Sequence, residues 1–304
     1  MKSIEVNNLV KSYGDVRAVR GISFAVEEGA FFALLGPNGA GKSTTVEILA
    51  TLLAKDEGTV SIMGETLDRD DAKIRRHLGV VFQYGTLDND LTVRENLAAR
   101  GAFYGLSGQA LQTRIAELDK LIDFTSYLDR RIRTLSGGQR RKAEIARALL
   151  HQPRVLMLDE PTTGLDPKSR KDIWALVLSI KKDTAMTILL TTHYMEEVLD
   201  ADHVVILHEG VIRAEDSAEN LRLAYARDTL KIMPKQGLLK KLDQDGVAYE
   251  RINATVHVPL KNPFEGVDLV GRHREAIESF EIVKASMDDV FLNITGASLE
   301  EGTS

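Results

Sequence analysis

No cysteine occurs among the 304 residues, which excludes both a disulfide framework and a thiolate metal site. Long apolar runs are missing as well. Val155 to Leu158 and Ile188 to Leu190 fall far short of the roughly 18 residues a bilayer crossing needs, so the chain is not expected to span a membrane by itself. The opening Met1-Lys2-Ser3-Ile4-Glu5-Val6 has no apolar stretch of a secretory leader, and the expected address is the cytosol. A basic excess is also lacking. The net charge is -6 with a pI near 5.7, opposite to the balance of most nucleic-acid binders, so no DNA or RNA partner is expected. The one concentrated basic stretch, Arg130 to Lys142, reads as a phosphate-binding patch or as a solvated helix face. What is present, 43% hydrophobic and 28% charged residues in 33.6 kDa, is the composition of a folded, water-soluble protein with room for about two domains.

Hydrophobic periodicity organises the chain. Ile4 to Val10, Ile22 to Val26 and Ala30 to Leu35 read as strands, followed by a Gly-rich turn and a helix whose Val46, Leu49, Ala50 and Leu53 form one buried stripe. From about residue 86 to 135 the pattern turns helical, with segments opening at Val93 and Leu111, which predicts a helical insertion in an α/β domain. Val155 to Leu158 and Thr187 to Leu190 are continuous apolar runs, as in central parallel strands covered on both faces and joined by helical crossovers. Val204 to Leu207 with Val211-Ile212 reads as a closing hairpin. Residues 1–227 form the first expected domain and residues 228–304 a small α+β domain. In the latter, strands are expected at Thr229 to Met233, Val247 to Ile252, Thr255 to Val258 and Phe280 to Lys284. Helices are expected at Gln236 to Leu242, Leu269 to Ile277 and Met287 to Ile294, with Ser286 and Asp289 in capping-box spacing. The order β-α-β-β-α-β matches a ferredoxin-like split βαβ unit.

Three stretches carry chemistry. Gly36-Pro37-Asn38-Gly39-Ala40-Gly41-Lys42-Ser43 fits G-x-x-x-x-G-K-[ST] between an apolar strand and a helix, the context a phosphate loop requires. Its glycines let backbone N–H groups close around phosphate oxygens, Lys42 reaches the outer phosphates, and the Ser43 hydroxyl is placed to ligate Mg²⁺. Val155 to Leu158 runs into Asp159-Glu160, two acids where ligands of open α/β sheets collect. Alone, such acids serve equally well as a helix N-cap. Leu135-Ser136-Gly137-Gly138-Gln139 opens a helix with Ile145, Ala146, Leu149 and Leu150 facing inward; it is a second anion-binding helix start or an ordinary cap and turn.

Together the three motifs resemble the signature of ABC-type ATPases over residues 2 to 215. The resemblance implies a P-loop NTPase α/β fold with a helical insertion, hydrolysing ATP with Mg²⁺. By that likeness Gly36, Pro37, Asn38, Gly39, Ala40, Gly41, Lys42, Ser43 and Thr44 hold ATP, and Tyr13 stacks on its adenine. Ser43, Gln83 and Asp159 hold the metal, while Glu160, Gln83 and His193 act in hydrolysis. Ser136, Gly137, Gly138, Gln139 and Asp166 of a second copy complete the site in trans, which makes the chain a homodimer. Read structurally instead, Tyr13 is a half-buried strand residue, Gln83 a polar strand end, and Asp166 the start of a helix at Pro167. His77, His151, His203, His208, His257 and His273 match no motif and are assigned to structure or surface. Longer stretches, Gln83 to Leu97, His193 to Glu197 and Ser286 to Gly296, resemble drug-resistance and nodulation-type exporter ATPases. Residues Val198 to His203 lack the cysteine or arginine expected there. The implied function is an ATP-hydrolysing exporter subunit, peripheral on the cytoplasmic face, that drives separately encoded transmembrane permease subunits. A soluble ABC ATPase switching ribosomes or DNA is the alternative, and a phosphotransferase leaves Ser136 to Gln139 unexplained.

Overall fold

The computed structural model describes residues 1–296, so the last eight residues of the expected second domain lie outside the described residues. Two compact units divide at Ser217/Ala218, ten residues before the boundary read from the sequence. In the first, the elements run β1 (Lys2–Tyr13), β2 (Val16–Glu27), β3 (Phe31–Leu35), α1 (Lys42–Leu49), β4 (Glu57–Ile62), β5 (Glu65–Thr66), α2 (Asp71–His77) and β6 (Leu78–Val81). They continue through α3 (Val93–Ala102), α4 (Gly108–Ile122), α5 (Gly137–Leu149), β7 (Val155–Asp159), α6 (Pro167–Asp183), β8 (Thr187–Thr192), β9 (His203–His208) and β10 (Val211–Asp216). A six-stranded sheet has the order β10-β9-β3-β8-β7-β6, parallel apart from the β9/β10 hairpin. A four-stranded antiparallel sheet, β2-β1-β4-β5, accompanies it.

The core follows from the strand compositions. Every side chain of β3, β7 and β8 is buried, as continuous apolar runs in a two-faced parallel sheet must be. On one face Phe32, Leu34, Met157 and Leu189 share a core with Val46, Ile48 and Leu49 of α1 and with Ile4, Val6, Phe24 and Ile62 of the antiparallel sheet. Phe24 stacks on Phe32 at 5.3 Å. On the other face α6 closes over Phe31, whose ring lies 5.8 Å from that of Trp174. The segment 57–77, which carries no strong period, forms β4, β5 and α2. Among the described residues no helix is long and apolar enough to cross a membrane.

The helical insertion is built from α3 and α4. A capping box starts α3: the Glu95 N–H donates to Thr92 Oγ1 at 3.1 Å and the Thr92 N–H returns a bond to Glu95 Oε2 at 2.7 Å. Leu111, Ile115, Leu118 and Ile122 form the buried stripe of α4. His151 lies where this region meets the end of α5. Its Nε2 is 2.9 Å from the Leu78 carbonyl, which only accepts, so that nitrogen carries the proton. Its ring stacks on Tyr104 at 4.0 Å. Burial, reinforced by Arg100, Arg114 and Arg147 against the pull of the Leu78 carbonyl, lowers the His151 pKa to about 4. A neutral imidazole thus stabilises the fold fully above the unfolded value near 6.5, and the contribution disappears as pH falls towards about 4. In urea titrations the advantage of the native chain over His151→Phe should therefore shrink by roughly 2 kcal/mol between pH 7 and 4.5, allowing for the ring's partial exposure. A constant advantage would contradict this burial argument.

The second unit comprises α7 (Ala218–Tyr225), β11 (Thr229–Pro234), α8 (Leu238–Gln244), β12 (Glu250–Ile252), β13 (Thr255–Pro259), α9 (Pro263–His273), β14 (Ile277–Val283) and α10 (Met287–Thr295). α7 belongs here because it packs on α10. The sheet order is β12-β13-β11-β14, antiparallel throughout, with Leu230, Ile232, Val256, Val258 and Leu269 in its core. The element order from β11 to β14 is β-α-β-β-α-β, and Ser286 and Asp289 make the capping box of α10. The helix read at Leu269 to Ile277 instead spans α9. Asn262 Oδ1 accepts from the N–H groups of Phe264 and Glu265 and Pro263 takes the first turn, while Ile277 pairs with Pro234 as strand.

Candidate functional site

The strand order β3-β8-β7 puts three C-terminal strand ends side by side, with Leu35 opposite Thr192 and Asp159 opposite Thr191. Residues 36–41 cross from β3 into α1. Gly41 has φ +100°, and a Cβ there would sit 2.5 Å from the Ala18 carbonyl oxygen, so only glycine lets the loop close against β2. Lys42 Nζ donates to the carbonyls of Gly36 at 2.7 Å and Pro37 at 3.1 Å and lies 3.0 Å from Glu160 Oε1. Burial lowers the Lys42 pKa, opposed by the carboxylates of Glu160 and Asp159.

Asp159 Oδ1 accepts from Thr191 Oγ1 at 2.5 Å and from Ser43 Oγ at 3.1 Å. Burial raises its pKa against the pull of those hydroxyls. Glu160 takes a left-handed backbone, φ +46°, held by its N–H donating to the Thr191 carbonyl at 3.0 Å and Oγ1 at 3.1 Å. Such strain costs about 1–3 kcal/mol. Phe31, Phe32, Leu34 and Leu35, all fully buried, each contribute about 1.5–3 kcal/mol, so the strand framework outweighs it. Glu160 Oε2 accepts from Thr163 Oγ1 at 3.1 Å and Gln83 Nε2 at 3.4 Å. His193 Nδ1 lies 3.2 Å away without the alignment of a hydrogen bond. Burial opposes the Glu160 charge, but the His193 imidazole and the Lys42 ammonium outweigh it and hold the pKa at about 2.

These residues open on a cleft of about 600 Å³ lined by Asn38, Gly39, Gly41, Lys42, Ser43, Thr44, Gln83 and Glu160. Ser43 Oγ, the Asp159 carboxylate and the amide oxygen of Gln83 are hard oxygen donors. The described residues contain no group of three His, Cys, Asp or Glu that could cage a metal. One carboxylate beside a phosphate loop fits Mg²⁺, which takes few protein ligands and completes its shell with phosphates and water. Tyr13 is not among the lining residues; it is half exposed, with Lys11 Nζ 5.9 Å from its ring centroid. Val16, Arg17, Ala18 and Arg20 of β2 also line the cleft; the sequence did not single them out because the strand signal there is weak.

Ser136, Gly137, Gly138, Gln139 and Asp166 are absent from that cleft. Ser136 caps α5, accepting from the Gln139 N–H at 3.3 Å while Gln139 Oε1 accepts from the Ser136 N–H at 3.1 Å. Asp166 caps α6, accepting from the N–H groups of Lys168 and Ser169. Ser136, Gly138, Gln139 and Asp166 line a second cleft of about 460 Å³. Another residue not singled out from the sequence ties the neighbouring loops. Glu197, 3% exposed, accepts from Thr192 Oγ1 at 2.6 Å and from Thr162 Oγ1, joining the segment before His193 to the one after Glu160.

Comparison with known proteins gives consistent likenesses. Residues 19–163 match the family described as ABC transporter. The daunorubicin/doxorubicin resistance ATP-binding protein DrrA of Streptomyces peucetius is 35% identical, the match covering 97% of this chain and 93% of that protein. The Nod factor export ATP-binding protein I of Paraburkholderia xenovorans is 36% identical, covering 98% and 99%. The linearmycin resistance ATP-binding protein LnrL of Bacillus subtilis is 33% identical, covering 98% and 100%. Among solved structures, dimeric MJ0796, a bacterial ABC transporter cassette, is 30% identical with a TM-score of 0.65, covering 70% of this chain and 98% of that one. A dimeric post-hydrolysis state of the same cassette bound to ADP and Pi has a TM-score of 0.65 at 29% identity.

Proposed function

The chain belongs to the ABC transporter family as an ATP-binding, ATP-hydrolysing subunit, and from that premise we propose that two copies drive a separately encoded membrane permease in export, bound to its cytoplasmic face. The observation that carries this is the separation of the two clefts: the phosphate loop with Glu160 lines one, and Ser136 with Gln139 lines another. Two copies related by a two-fold axis, head to tail, bring each helix start against the other's phosphate loop and make two equivalent sites. The dimeric MJ0796 cassette supports that arrangement, and the names of the drug-resistance and Nod factor relatives support export as the direction.

In this reading the loop from Gly36 to Thr44 cradles the phosphates and Lys42 exchanges Glu160 for a phosphate oxygen. Ser43, Asp159 and Gln83 would hold Mg²⁺, which when bound neutralises phosphate charge. Glu160 accepts a proton from the attacking water, and His193, beside it, contacts the transferred phosphoryl group. Asp166 and Ser136 to Gln139 serve the opposite copy. The permease's cytoplasmic helix docks by the helix-in-groove mode along the segment from Tyr84 to Tyr104, next to a groove of about 740 Å³ in which the 84% exposed Phe103 and Leu106 stand among polar side chains such as Arg76, Arg114 and Glu117.

A mild-detergent pull-down of the full chain from its native cells, read by mass spectrometry, tests the partner. A multi-helix membrane protein in stoichiometric amount is expected. Ribosomal proteins or nucleic acid without a membrane subunit would overturn the permease assignment.

A further inference from the structure

The first turns of α5 hold an ion pair that neither the phosphate cleft nor the Ser136 cap uses. Arg141 and Glu144 are 6% and 4% exposed, and their charged groups meet at 2.8 Å. Arg141 also reaches the backbone of the Gln83 loop: Nη1 donates to the Phe82 carbonyl at 2.8 Å and Nη2 to that of Gln83 at 3.3 Å. One guanidinium therefore joins the helix that begins at Ser136 to two successive carbonyls of the loop. The chain continues against the pair, since a Cβ added at Gly85 would lie 2.7 Å from Glu144 Oε1. At the other end of the same residue, the Gln83 side chain donates to Glu160 Oε2 at 3.4 Å.

Energetics make this more than packing. A buried ion pair stabilises little over an apolar pair of equal volume, because desolvation offsets the attraction. Its distinctive property here is direction: the guanidinium fork is rigid and planar and fixes three acceptors at once. We propose that Arg141 and Glu144 are positioning residues that lock the Gln83 loop to the α5 start, so that contact of Ser136 to Gln139 with nucleotide on a second copy is transmitted to the amide facing Glu160. The inference rests on the ATPase reading and adds a coupling between the two sites of the dimer.

The test compares the full wild-type chain with Arg141→Met/Glu144→Leu and with Arg141→Lys, by hydrogen exchange of residues 82–88 and by steady-state phosphate release. Wild-type turnover is the control for the underlying reading; a wild type that hydrolyses no ATP would overturn that reading, whatever the variants do. In the double variant the apolar pair replaces the ion pair, but the Phe82 and Gln83 carbonyls lose their donor, so the melting temperature should fall somewhat and exchange and kinetics are read well below it. Exchange in the loop should rise at least about tenfold. With phosphate contacts intact, kcat should fall at least about tenfold and KM stay within about threefold. If the double variant does not fold, Arg141→Lys carries the test, because an ammonium keeps the charge but cannot span Glu144 and both carbonyls; the same split is expected. A folded variant with wild-type loop exchange, or with faster exchange and wild-type kcat, overturns the inference.

Discussion

Glu160→Gln should hold ATP and all but stop hydrolysing it. The substitution is nearly isosteric, and the backbone bonds that keep residue 160 at φ +46° come from its own N–H to Thr191, so the local geometry survives. What disappears is the charge that accepts a proton from water. General-base catalysis contributes about 10²–10⁴-fold, and phosphate release should fall by at least about 100-fold. Affinity for ATP should hold or tighten, because a carboxylate 3.0 Å from Lys42 competes with phosphate for the same ammonium. In the nucleotide-free chain the variant leaves the buried Lys42 ammonium with neutral acceptors, the Gly36 and Pro37 carbonyls among them, and with Asp159 as the remaining carboxylate that favours its charge. It should be less stable by about 1–3 kcal/mol, and ATP should restore the loss. Gel filtration with ATP should show a persistent dimer for the variant and a transient one for the native chain. Hydrolysis by the variant at the wild-type rate would sink the assignment of Glu160.

The phosphate loop was legible because its pattern specifies backbone requirements directly: Gly41 must be glycine where a Cβ would strike Ala18. The partners of Glu160 were legible only as types. Lys42 and Glu160, or Ser43 and Asp159, meet because β8 intervenes between β3 and β7 in the sheet, an order no local pattern encodes. The basic stretch illustrates a different limit. A solvated face describes Arg133, which is exposed and pairs with Asp90. It misses Arg141, which shares the buried i, i+3, i+4, i+7 stripe with Glu144, Ile145 and Ala148. Helical phase was the available signal, overridden by the expectation that charge faces water. Tyr13 shows another limit: its adenine-stacking role rests on likeness alone, whereas Arg17 and Arg20, which carry no motif, stand in the wall of the cleft.

Lys42→Ala should fail one step earlier than Glu160→Gln. The ammonium is the cation the loop offers to phosphate, and a charge-assisted hydrogen bond of about 1.5–3 kcal/mol translates to roughly 10–100-fold in ATP affinity. Turnover should fall too, at saturating ATP, because the same charge stabilises the transferring phosphoryl group. Equilibrium binding of a fluorescent ATP analogue and phosphate release therefore separate the two variants: Glu160→Gln loses turnover alone, Lys42→Ala loses both. Unchanged affinity and turnover in Lys42→Ala would remove the phosphate-loop reading. The nucleotide-free chain supplies an independent check through Glu160. Its folded pKa, about 2, lies below the ordinary 4.5, so its ionisation stabilises the fold fully above about 4.5 and ceases to do so as pH falls towards 2. The shift corresponds to about 3 kcal/mol. Without Lys42 the buried carboxylate loses the cation that opposes desolvation, and its pKa must rise. The gap in urea midpoint between native and Lys42→Ala chains should then be widest at neutral pH and narrow below about pH 4.5. A gap independent of pH would mean that the ammonium and the carboxylate do not depend on each other before nucleotide arrives.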